Sequence, residues 1–187
     1  MFNNGKSMKY LIDSFNSILR MGTDNPRINL ALVQRIKVAN VIALIGACNN
    51  IIILPLIFFL YHYDLMPLNI FQNIRIILIV GTIGYAATPI VNKFHYHLLA
   101  RLIFIVNVHI IVFLGTIVLH IDQGGWYYLF PVVVFPFMLF LASELIVIIV
   151  SVFLSVLCVL SLKMIDFYSK DGLDFSILEA FFAMASL

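Results

Sequence analysis

The chain holds five histidines and few other ionisable side chains, and the spacing of those histidines limits the chemistry open to them. His109 lies in the middle of an apolar run over residues 102–121, with Asn107 two residues before it. His120 follows 11 residues later, close to three helical turns, which puts both rings on one face about 16 Å apart. His62 closes an earlier apolar run, and His95 and His97 flank Tyr96 in a polar break. Imidazoles on facing helices around an apolar pocket are the axial ligands a haem b requires. On that chemistry His62 and His120 are candidates for an axial pair at one membrane face. His109 is a candidate whose partner is a symmetry mate or a ligand of another type. The plainer roles are interfacial anchors for His62 and His120 and a hydrogen-bonded core histidine for His109. Zinc or copper is disfavoured, because no close cluster of His, Cys, Asp and Glu is visible.

Other polar groups within apolar runs are costly in lipid and are functional candidates by default. Arg75 stands near the start of a span and either snorkels outward, pairs with a carboxylate or binds an acidic ligand. Glu144 divides two apolar runs and reads as a residue of the inner surface. Glu179 is a bundle-facing group able to bind a ligand or an ion. Asn40, Asn49 and Asn50 read as interhelical hydrogen bonders. No phosphate-cradling glycine loop, Ser-His-Asp arrangement or basic-aromatic face for nucleic acid is visible.

The elements that must position these groups follow from composition. Of 187 residues 63% are hydrophobic and 11% charged, and the mean hydropathy is +1.09. A soluble domain is about 45–50% apolar and about 25% charged, so a water-soluble globule is excluded. Disorder is excluded as well, since 17 Phe and 8 Tyr are too many aromatics for a disordered chain. Cys48 and Cys158 both lie in apolar runs and build no disulfide framework. An integral membrane protein remains.

A spanning helix needs about 20 predominantly apolar residues. Runs over 38–63, 70–91, 102–121, 123–143 and 145–162 meet or approach that length, and a sixth begins at residue 175. The expected fold is therefore an all-α, polytopic membrane helix bundle of five full transmembrane helices plus the start of a sixth. The runs are continuously apolar, without the alternation of barrel strands. Lys6, Lys9, Arg20, Arg27, Arg35, Lys37, Lys93 and Arg101 collect on one side, against Lys163, Lys170 and the marginal Arg75 on the other. That bias puts the N-terminus in the cytoplasm of a multi-pass protein of the inner (plasma) membrane.

Residues 1–25 form a cytoplasmic segment in which Met8, Leu11, Ile12, Phe15 and Leu19 share a helical face suited to the inner leaflet. A short helix packed on a neighbouring domain or subunit is the alternative. Asn25 and Pro26 read as the cap and first position of the next helix. Residues 26–187 form the bundle. Trp126, Tyr127 and Tyr128 suit an aromatic belt. Pro55, Pro131 and Pro136 are expected to kink their helices. Gly81, Gly84 and Ala87 make a small-residue stripe for close packing, within the chain or between copies.

Three stretches carry a family resemblance: 35–44 (Arg-Ile-Lys-Val-Ala-Asn-Val-Ile-Ala-Leu), Tyr128-Leu-Phe-Pro131, and 137–144 ending in Ser-Glu. With the helix pattern over 25–187, they resemble the six-helix N-terminal membrane domain of bacterial class III adenylate cyclases. Related domains precede diguanylate cyclases and histidine kinases. The resemblance implies a sensor and dimerisation domain acting on a cytosolic output domain after residue 187, and some such domains resemble haem-binding modules. On this expectation the present stretch is not itself an enzyme; its partners are the bilayer, a second copy and its own output domain. The alternatives are a small transporter or channel subunit using Arg75, His109 and Glu179, or a membrane haem electron carrier.

Overall fold

In lipid every backbone polar group must be satisfied within the structure, and a continuous apolar run satisfies its own only as a helix. The computed structural model describes residues 4–24, 28–118 and 129–170, and over these it is all-α. The elements are α1 (Asn4–Leu19), α2 (Leu30–His62), α3 (Leu68–Lys93), α4 (His97–Val118), α5 (Leu129–Leu139) and α6 (Leu145–Lys170). A single 3-10 turn, Ala142–Glu144, joins α5 to α6. The cap of α2 is Asn29, whose side chain accepts from the Ala31 N–H at 2.9 Å. The helix thus starts a turn later than Asn25 and Pro26 suggested.

Among the described residues, four helical stretches are long and apolar enough to cross a bilayer: Leu30–His62, Leu68–Lys93, His97–Val118 and Ala142–Lys163. This corrects the expectation of five full transmembrane helices plus the start of a sixth. The apolar run over 123–143 is long enough to span, but its described part folds into the 11 residues of α5. The chain bends at Phe140 and turns extended at Leu141, with φ −80° and ψ 157°, before the 3-10 turn. The sixth run with Glu179 lies outside the described residues, as do His120 and the residues of the Trp126–Tyr128 belt.

Helices α2, α3 and α4 pack sequentially with the most extensive interfaces, and α5 and α6 lean against α4 and α2. One apolar core lies toward the α1 end, where Ala39 and Ala43 meet Phe104, Ile105, Val132 and Ile148. A second lies at the opposite end, around Ile57, Phe71, Ile77 and Val118. Lipid-facing positions such as Ile52, Ile83, Ile146 and Phe153 are exposed. The small-residue stripe serves packing within the chain. Asn107 donates to the Gly81 carbonyl at 3.0 Å, and a Cβ on Gly84 would overlap the Asn107 amide.

Helix α1 leaves Tyr10, Ile12 and Phe15 exposed. Its far end is fastened to the bundle by Gly22, which has φ +82° and sits against the Asn92 carbonyl. Both the left-handed backbone and the close approach demand glycine there. Gly22→Ala is expected to cost about 1–3 kcal/mol and to release α1. Hydrogen exchange on the full chain checks this: amides of α1 should lose protection while those of α3 and α4 keep theirs.

Candidate functional site

The polar groups of this bundle gather at the α1 end, where they form one connected chain of hydrogen bonds. Asn40, fully buried on α2, has its Nδ2 3.1 Å from the Met21 carbonyl, with those of Ile18 and Leu19 at 3.3 and 3.4 Å. These carbonyls lie at and just beyond the end of α1, and that of Ile18 also accepts the Met21 N–H at 3.1 Å. The Asn40 Oδ1 accepts from Asn92 Nδ2 on α3 at 2.7 Å. The Asn92 Oδ1 then faces His97 Nδ1 at 3.2 Å. The chain of donors orients each amide, so His97 Nδ1 carries a proton. Its Nε2 is buried and is the one such side-chain atom without a hydrogen-bond partner among the described residues.

From His97 the chain runs to the charges. The His97 carbonyl accepts from Arg101 Nε at 3.0 Å, one turn along α4. Arg101 is 1% exposed, and its guanidinium pairs with Glu144 in a fork, Nη1 to Oε2 at 2.8 Å and Nη2 to Oε1 at 2.7 Å. Nη1 also donates to the Leu139 carbonyl at the end of α5 at 2.8 Å. Glu144 Oε2 accepts the Leu141 N–H at 2.8 Å, and the Phe140 ring lies 5.1 Å from the guanidinium. Arg35 on α2 donates to the Met138 carbonyl beside it. A bidentate, multiply hydrogen-bonded pair of this kind is the geometry in which a buried charge is tolerated.

A second polar group lies in the bundle interior. His109 is buried, with Nδ1 2.7 Å from the Ile105 carbonyl and Nε2 2.7 Å from Ser155 Oγ on α6. The carbonyl can only accept, so Nδ1 carries a proton and Nε2 faces the hydroxyl. Both ring nitrogens are engaged, and iron ligation by His109 would require Ser155 to give way. The residues around His109 therefore do not fit a haem as placed. His62 is exposed at the end of α2, its ring 5.5 Å from that of Tyr63. Its proposed axial partner, His120, lies outside the described residues.

Of the remaining candidates, Arg75 is half-buried with its guanidinium 5.5 Å from the Phe71 ring. Asn50 reaches the Leu78 carbonyl at 3.4 Å, and Asn49 is exposed. The structure thus joins Glu144 to Arg101, Asn107 to Gly81 and His109 to Ser155, without bringing Arg75 to His109. Arg101, Asn92 and His97 were not among the sequence candidates. Arg101 and Glu144 fall on the same side of the expected topology, which was the available signal for their pairing. No group of three metal-ligating side chains occurs among the described residues.

No known protein family, curated protein or solved structure matches the chain. Fold and composition alone place it: a polytopic, helical membrane protein.

Arg101→Met leaves the Glu144 carboxylate in its half-enclosed site without a partner and is expected to cost about 3–5 kcal/mol. The double variant R101M/E144L is expected to recover most of that loss. Detergent-driven unfolding in mixed micelles reads both, and equal losses in the single and double variants would refute the pairing. Ser155→Ala removes one interhelical hydrogen bond and is expected to cost about 0.6 kcal/mol by the same measurement.

Proposed function

We propose that this chain is a membrane-embedded sensor and dimerisation domain that controls a cytosolic output domain. A nucleotide cyclase is the output that the resemblance implies. The observation that carries the reading is the continuous polar chain from α1 through Asn40, Asn92 and His97 to Arg101 and Glu144. It touches every helix from α1 to α4 and the α5–α6 corner. Displacement of one helix at this end must therefore break or re-pair contacts on the others. A bistable set of packed contacts is the device that turns a binding event into a population shift.

The charge bias favours an orientation with this end on the cytoplasmic side of a plasma membrane, next to an output domain. The saturation of the interior polar groups favours signalling over transport. Asn107 bonds to the α3 backbone, and His109 and Ser155 bond to each other and to their own helices, where a pathway would present groups to a passing solute. The signal in this reading is a repacking of the bundle and requires no bound haem.

The full gene product in native membranes tests the proposal. Cyclic nucleotide formation from ATP and GTP is measured for the wild type, Glu144→Gln and Asn40→Leu at matched protein levels. Both variants are expected to shift basal turnover several-fold. A gene product with no nucleotide-converting activity, or one indifferent to both substitutions, would overturn the assignment.

A further inference from the structure

The join between α1 and the bundle leaves a partly open cavity of about 220 Å³. Ile18 and Met21 at the end of α1 form one wall, Ala43 and Ala47 of α2 the floor, and Tyr85 and Pro89 of α3 the other wall. Gly46 lets the Tyr85 ring lie against the α2 backbone, since a Cβ there would stand 2.6 Å from the ring carbon Cζ. Ala86 and Ile90 on the rim are exposed. The lining is almost wholly apolar.

Its depth and surroundings indicate what fits. From Tyr85 to Ile90 the lining follows α3 for about 8 Å, roughly half of the ~15 Å that one leaflet contributes to the hydrocarbon core. Three exposed cations flank the lining residues along their elements: Lys93, one turn beyond Pro89; Arg20, beside Met21; and Lys37, two turns before Leu44. Asp13 and Asp24 are the exposed acids described on the α1 side, and Lys9 and Arg35 add further positive charge there. An apolar slot about half a leaflet deep, flanked by cations, is complementary to part of an acyl chain carrying an anionic headgroup.

We propose that this groove binds one acyl chain of an anionic phospholipid, with its phosphate among Arg20, Lys37 and Lys93. The site stands independently of the signalling reading. Because α1 supplies a wall, lipid binding and the docking of α1 are coupled: the lipid holds α1 against α2 and α3, and a released α1 opens the slot.

Native mass spectrometry of the full chain, after exchange into micelles with equal amounts of phosphatidylglycerol and phosphatidylcholine, provides the test. The wild type is expected to retain one phosphatidylglycerol in preference to phosphatidylcholine. Ala86→Trp fills the groove from its exposed rim without touching the buried core and should abolish retention of either lipid. The double variant R20Q/K93Q keeps the slot and should lower the preference for phosphatidylglycerol by about tenfold. Added inorganic phosphate should displace nothing. Equal retention of the two lipids by the wild type, or unchanged retention in Ala86→Trp, would mean annular lipid only. Release by phosphate alone would mean an anion site without an acyl chain. Either result overturns the proposal. Unchanged elution volume and helical circular dichroism establish that both variants are folded.

Discussion

A guanidinium taken out of water has to be matched by a carboxylate and by acceptors for its remaining protons, and the architecture at one end of this bundle is set by that requirement. Arg101 receives a forked carboxylate from Glu144, a carbonyl from Leu139 and another from its own helix at His97. Supplying these from different elements obliges α5 to stop at Leu139, the chain to turn through Leu141, and the 3-10 turn to present Glu144 inward. The same turn is satisfied in exchange, since Glu144 takes the Leu141 N–H. The end of α5 and the burial of Arg101 are thus two aspects of one arrangement.

Away from this end the bundle follows the usual logic of helices in lipid, where apolar side chains gain nothing by facing one another instead of the bilayer. Close backbone approach and a few hydrogen bonds must supply the specificity. Gly81 and Gly84 admit the Asn107 amide between α3 and α4, and the His109–Ser155 contact pins α4 to α6. Each contact has a defined donor and acceptor, so the helices settle into discrete registers and do not slide freely. A domain built from such contacts can hold two arrangements and exchange between them, which a greasy interface of Leu and Ile alone would not define.

Helix class and the larger spans were legible from composition, because continuous apolar runs leave the backbone no alternative to a helix. The turn at Ala142–Glu144 was legible in the charge that divides the two apolar runs; the bond from Arg101, 38 residues earlier in the chain, to the Leu139 carbonyl was not. Arg101 itself looked like one more basic residue of a loop, since its burial depends on Glu144. Asn40 and Asn92 are 52 residues apart, and nothing local to either reveals that one orients the other. His109 shows the converse case. Its sequence position allowed either a ligand nitrogen or a hydrogen-bonded core histidine, and only the neighbouring helix shows Ser155 beside Nε2.

The separation of Arg101 from Glu144 has a consequence for how the protein is made. The two partners are 43 residues apart, with α5 between them. At about 5–20 residues per second, a ribosome exposes the arginine roughly 2–9 s before its carboxylate is available. During that interval α4 must keep the Arg101 head at the lipid headgroups, where its stem can snorkel. Arrival of α6 then draws the charge inward and closes the bundle over it. Biogenesis of this membrane domain accordingly has a late locking step, made by its α5–α6 hairpin upon a three-helix unit already in the bilayer.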